Sequence, residues 1–159
     1  MKRNLLRLLW STTLVLGSWA NSVSADAVQT LQQQLQQAHG KVVYLDFWAS
    51  WCKPCRYSFP WMNEMKAKYE SEGLVVITVN LDKDAELARQ FLQENPADFA
   101  ILYDPEGATA KKYKLKGMPM SFVFNRSGQP VSGHVGFNDS KKAEYEAELV
   151  KWLAVKNTD

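Results

Sequence analysis

FWASWCKPCRYSFP, Phe47 to Pro60, holds the only two cysteines of a 159-residue chain, Cys52 and Cys55. Just before them, KVVYLDFW (Lys41 to Trp48) is β-branched and aromatic with almost no polar break. A strand covered on both faces reads this way. Just after them, Phe59, Met62, Met65 and Tyr69 recur at helical spacing, with Pro60 inside the run. That pattern predicts a helix that the proline kinks. The cysteine pair therefore opens a helix directly after a buried strand.

Three chemistries use a CxxC pair. A structural staple is a poor use of it, because closing so short a loop constrains the unfolded chain little. A zinc site wants four ligands. Only His39 and His134 are available to join, and neither has ligand spacing; each reads as an ordinary surface or half-buried histidine. Redox chemistry fits the position best. Cys52 at a helix N-terminus meets free N–H groups and the positive end of the helix dipole, which favour the thiolate. Lys53 adds a solvated positive charge beside it, and Pro54 stiffens the loop. The thiolate is the attacking species in disulfide exchange. Cys55, one turn deeper, is placed to attack the resulting mixed disulfide.

Outward from this site the chain alternates strands and helices. DAVQTLQQQLQQAH, Asp26 to His39, predicts a helix with Val28, Leu31, Leu35 and Ala38 on one side and glutamines on the other. GLVVITVNLD, Gly73 to Asp82, predicts a second buried strand. DAELARQFLQEN, Asp84 to Asn95, predicts a helix with Leu87, Phe91 and Leu92 inward. FAILYD is a third strand and PEGATAKKYKL a short helix. SFVFN and QPVSGHV form a hairpin through Arg126-Ser127-Gly128. SKKAEYEAELVKWLAV closes the chain as a helix with Tyr145, Leu149 and Trp152 inward. The order predicts a single α/β domain with an antiparallel hairpin near its end.

The first 25 residues read as a secretory signal peptide: Lys2, Arg3 and Arg7, an apolar run from Leu8 to Gly17, then small residues ending at Ala25. The alternative is an uncleaved N-terminal anchor, although the run is shorter than the roughly 20 apolar residues of a membrane span. The expected domain is then residues 26–159. The full chain carries 19 Lys+Arg against 17 Asp+Glu. Without the leader the balance is 16 to 17, a net charge of −1. The basicity belongs to the leader, so the domain lacks the electrostatic footprint of nucleic-acid binding.

YLDFWASWCKPC resembles the active-site strand and motif of the thioredoxin superfamily, and the likeness extends over nearly the whole of residues 26–159. It implies a thioredoxin-like fold, a central mixed sheet flanked by helices. Pro60 falls where thioredoxins carry a helix-kinking proline. Gly117-Met118-Pro119-Met120 resembles the family's cis-proline loop, which implies a cis Met118–Pro119 bond that positions the substrate backbone. NLDKDAELARQFLQEN into FAILYDPEG resembles the central strand–helix insertion of TlpA-like and ResA-like exported thiol-disulfide oxidoreductases, and GMPMSFVFNRSGQPVSGHVGF their C-terminal half. Such proteins are typically reductants of the bacterial cell envelope, several of them in cytochrome c maturation. The chain departs from them at Ser58, where ResA-like members often carry Glu, and in its glutamine-rich first helix, where many show a β-hairpin.

The resemblance implies a periplasmic or extracytoplasmic, monomeric dithiol oxidoreductase. Cys52 is its nucleophile, Cys55 resolves, and Trp51, Met118 and Pro119 meet the substrate. Its partners are disulfides of exported proteins and a membrane-side thiol reductase, and it needs no cofactor, since the two sulfurs carry the electrons. Asp46 stands where thioredoxins have a buried acid. Burial should raise its pKa, and a neutral acid near Cys55 can relay that thiol's proton. Trp48 is expected in the core. Two rivals remain at this point: a peroxiredoxin-like peroxidase, whose Thr/Ser-x-x-Cys setting is not evident before Cys52, and a metal or haem chaperone using the thiolates as soft ligands.

Overall fold

The computed structural model of the protein describes residues 23–156. Residues 1–22 of the expected leader lie outside the described residues. The elements are α1 (Val23–Gln37), β1 (Val42–Trp48), α2 (Cys55–Tyr69), β2 (Leu74–Asn80), α3 (Ala85–Glu94), β3 (Ala100–Tyr103), α4 (Ala108–Lys112), β4 (Met120–Phe124), β5 (Pro130–Val135) and α5 (Lys142–Ala154). Their order is the one the hydrophobic patterning predicts. α1 starts at Val23, ahead of the expected cleavage point after Ala25.

One five-stranded sheet, ordered β3-β2-β1-β4-β5, organises the domain. β1 is central. It pairs in parallel with β2, which pairs in parallel with β3, while β4 lies antiparallel to both β1 and β5. This is the mixed sheet of a thioredoxin-like fold, and all seven residues of β1 are buried. Alternation along β1 divides them between two cores. Val43, Leu45 and Phe47 pack with Leu31 and Ala38 from the α1 side. Val42, Tyr44 and Trp48 pack on the other face with α2, α3 and α5. Trp48 is fully buried there, its ring 4.8 Å from Phe59 and 4.8 Å from Phe91.

Two helices turn differently from expectation. In α3, Leu87 is 45% exposed, and Ala88 and Phe91 take the inner positions. Asp84 caps this helix, its side chain accepting from the Glu86 N–H, and the small Ala88 lets the helix lie close over Trp48. In α5 the inward residues are Tyr145, Leu149 and Leu153, four apart, so Trp152 is left half-buried. α2 runs through Pro60 without interruption. The proline has no N–H to give, so one bond of the helical ladder is missing there.

At the end of the sheet away from the cysteines, Arg126 ties three segments to its own. Its guanidinium donates to the carbonyls of Gly40, Glu72, Leu153 and Val155 at 2.9–3.1 Å. Gly73 passes beneath it with φ +99°, and a Cβ there would lie 2.8 Å from the guanidinium. Arg126→Ala removes the shared donor to three segments. We expect it to lower unfolding free energy by about 2 kcal/mol while leaving thiol exchange unchanged. Urea unfolding beside an exchange assay checks this, and an unshifted midpoint would refute it.

Candidate active site

β1 ends at Trp48, and the chain turns through Ala49, Ser50 and Trp51 before α2 starts at Cys55. The turn is anchored from below. Asp82, just past the end of β2, accepts from both the Ser50 amide and the Ser50 hydroxyl at 2.8 Å, and Asn80 holds the same carboxylate at 2.7 Å. The Leu81 amide donates to the Trp48 carbonyl at 2.9 Å. Asp82 was not singled out by sequence reading. The only signal for it is an Asn-x-Asp at the end of a buried strand, and that needs the strand pairing to acquire meaning.

Cys52 and Cys55 are joined in a disulfide with Cα atoms 5.4 Å apart. Cys52 lies three residues ahead of α2, and Cys55 is its first residue. The Cys55 amide donates to the Cys52 carbonyl at 3.1 Å, and Pro54 caps the helix in a helical conformation. Cys52 is 2% exposed and Cys55 not at all. Lys53 is exposed, and Trp51 is 68% exposed beside them. Ser58 is fully buried and donates back to the Cys55 carbonyl at 3.1 Å.

The Met118–Pro119 bond is cis. β4 runs antiparallel to β1, with Phe47 opposite Met120, so Met118 and Pro119 lie beyond the same end of β1 as the cysteine turn. Pro119 is buried, and its carbonyl accepts from the Gly136 amide at 2.8 Å. Sequence-distant residues 51–55 and 118–119 thus lie at one end of the sheet.

Asp46 stands two residues before Trp48 and two after Tyr44, so it shares the face on which the disulfide packs. It is 1% exposed, and its Oδ2 has no hydrogen-bond partner. Burial raises the carboxyl well above the usual carboxylate range. A buried carboxyl whose charged form is disfavoured, on the face that carries the cysteine pair, is suited to proton exchange. The histidines part company. His39 is exposed beyond α1, whereas His134 is largely buried in β5, its Nε2 2.8 Å from Glu148.

A redoxin family model matches residues 17–149. The chain belongs to the redoxin family. It is 30% identical over 118 residues to the thiol-disulfide oxidoreductase ResA of Bacillus thuringiensis, covering 74% of this chain and 67% of that one. It is 32% identical to the thioredoxin-like protein YneN of Bacillus subtilis, covering 84% and 79%. A crystal structure described as a thiol:disulfide interchange protein DsbE, from Chlorobium tepidum, superposes with a TM-score of 0.74 at 48% identity, over 76% of this chain and 85% of that one. The protein is a ResA-like member of the thioredoxin superfamily and a thiol-disulfide oxidoreductase, and its substrate class is protein disulfides.

Proposed function

We propose that this oxidoreductase works outside the cytoplasm as a reductant, taking electrons from a membrane-side thiol reductase and passing them to disulfides of exported proteins. The observation that carries the reading is a dithiol pair at a strand-to-helix junction with a buried, unpaired carboxyl on the same face. The Cys52 thiolate attacks a substrate disulfide. One substrate sulfur leaves with the electron pair of the broken bond, and a mixed disulfide forms on Cys52. Cys55 gives up its proton and attacks Cys52. The Cys52–Cys55 bond forms, the second substrate sulfur leaves as thiolate, and the substrate has gained two electrons.

Asp46 relays the Cys55 proton through water, its carboxyl taking a proton on one oxygen as the other gives one up. Trp51, Met118 and Pro119 receive the substrate backbone, and Lys53 and Pro54 adjust the stability of the Cys52 thiolate. The protein acts as a monomer, exported by the residue 1–25 leader. The basic, apolar and small-residue order of that leader supports export. Cytochrome c maturation, where haem-attachment cysteines must stay reduced, is the pathway that the ResA-like and TlpA-like resemblance favours.

The test is the redox state of Cys52 and Cys55 in living cells, read by acid quench and thiol alkylation. A reductant held in an oxidising compartment is found mostly reduced, and becomes oxidised when its reductase is removed. A pair that stays oxidised whatever the reductase status would make the protein a disulfide donor instead.

A further inference from the structure

A groove of about 360 Å³ opens beside the cysteine turn, between the N-terminal end of α2 and α3. Trp51 from the turn and Leu87 from α3 line it, and so does the buried Phe91. Trp51 is 68% exposed and Leu87 45%. α3 seats itself on the core through Ala88 and Phe91, which leaves Leu87 outward. Singly exposed apolar side chains are ordinary on a protein surface. Here two large ones share one groove, and one of them is the chain neighbour of Cys52. Tyr103, Val135 and Val150, exposed apolar residues of β3, β5 and α5, line no part of it.

The two charges that line the groove cancel. Arg56 Nη1 and Glu94 Oε2 meet at 2.6 Å, and the guanidinium lies 5.2 Å from the Phe91 ring centroid. Each charge is engaged by the other, so the groove offers apolar walls and no net charge to attract an ion. Its place in the fold decides what reaches it. α3 joins β2 to β3, on one side of β1. The cis Met118–Pro119 bond leads into β4, on the other side. A substrate chain that crosses Cys52 away from Pro119 therefore heads for Trp51 and α3. An extended chain advances about 3.3 Å per residue, so residues within about three of the substrate cysteine come over the groove.

We propose that this groove is a docking subsite of the oxidoreductase, and that it takes an uncharged apolar side chain lying within about three residues of the cysteine that Cys52 attacks. The occupant is an extended segment of the substrate protein, on the α3 side of the disulfide being reduced. The subsite rests on the assignment of Cys52 as the attacking sulfur and is independent of the direction of electron flow in the cell. Trp51 and Leu87 are its specificity-determining residues. They act in the encounter, before any bond changes. An apolar side chain placed between them leaves water and covers apolar surface on both, which favours the complex in which the substrate sulfur faces Cys52. A charged side chain in the same place loses hydration and finds Arg56 and Glu94 already paired.

Short peptides that differ only beside their cysteine test this. Each carries its single cysteine as the mixed disulfide with 2-nitro-5-thiobenzoate, and has Leu, Gly or Asp at both positions two residues from it. The protein is the Cys55→Ser variant, so that only Cys52 can react. The Cys52 thiolate bonds to the peptide sulfur, and the coloured thiolate, the better leaving group, departs with the electron pair of the broken bond. Each rate is divided by that with 5,5′-dithiobis(2-nitrobenzoate), which has no peptide side chain, so that changes in the reactivity of Cys52 itself cancel. The Leu peptide should react about tenfold faster than the Gly peptide. Leu87→Glu should bring that ratio to within about twofold of unity. Glutamate is a good helix former, and position 87 lies in the first turn of α3, where negative charge suits the helix dipole. Leu87→Ala should lower the ratio about threefold, and it keeps the test decisive should the added charge disturb α3. Equal rates for the Leu and Gly peptides with leucine at position 87 would overturn the subsite. So would a tenfold preference that survives both Leu87 substitutions. A preference for the Asp peptide would assign the groove to Arg56 and overturn it as well. No reaction with 5,5′-dithiobis(2-nitrobenzoate) would instead remove Cys52 as the attacking sulfur, and the subsite with it.

Discussion

Cys55→Ser is expected to accumulate a covalent complex with its substrate, and Cys52→Ser to form none. The geometry assigns the two sulfurs unequal access. Cys55 is wholly buried as the first residue of α2, and Cys52, in the turn before it, retains the little exposure the pair has. On the proposed roles, a substrate disulfide is attacked by Cys52. Once the mixed disulfide exists, release depends on Cys55, whose Cα is 5.4 Å from that of Cys52 and whose backbone is tied to it by an N–H to carbonyl bond. A nucleophile held so close acts as if present at an effective molarity many orders of magnitude above that of a free thiol. Replacing its sulfur by a serine oxygen should slow product release by at least about a thousandfold. Non-reducing electrophoresis and intact-mass measurement would show the protein–substrate adduct with Cys55→Ser alone. An adduct formed by Cys52→Ser instead would reverse the two roles.

Much of this site is local, and so legible in the sequence. The apolar run of β1 announces burial on both faces, and the cysteines follow it without a break. Pro119 is an ordinary residue until its neighbours Gly117, Met118 and Met120 are set against a family pattern. What the sequence hides is whatever depends on register between strands. Asp46 and Ser121 are 75 residues apart in the chain and directly opposite in the sheet. His134 carries no ligand spacing and no motif, and its place opposite Ser121 and against Glu148 shows only in the fold. Asp82 is hidden for the same reason, since its partner Ser50 comes from the next strand's turn. Helix phase was the other blind spot. Leu87 and Ala88 both fit an apolar stripe, and only the close approach of α3 to Trp48 and Phe59 selects the smaller residue. A hydrophobicity pattern ranks side chains by apolarity, and a tight helix–sheet contact ranks them by size.

Asp46→Asn should make the protein more stable at neutral pH and slower at resolving its mixed disulfide. Burial is the cause of both effects. It raises the carboxyl well above the usual carboxylate range, with no hydrogen bond to Oδ2 to offset it. At pH below about 4 the folded and unfolded chains both hold the proton, and the group does not discriminate between them. As pH rises through the usual carboxylate range the unfolded chain ionises and the folded one does not. Folding stability then falls by about 1.4 kcal/mol per pH unit until the folded carboxyl also ionises. Asparagine cannot ionise, so the variant loses that slope and is more stable than the parent at pH 7. Kinetically, the first attack needs only the Cys52 thiolate, whereas the second must dispose of the Cys55 proton inside a core with no other carboxyl on the same strand face. Loss of a positioned proton acceptor should slow the second step about a hundredfold and spare the first. Denaturant unfolding of the oxidised protein across pH, beside stopped-flow resolution of the two steps, measures both. A variant less stable than the parent at every pH would mean an ionised, paired carboxylate in the fold. Equal slowing of both steps would mean that Asp46 shapes the whole site rather than moving one proton.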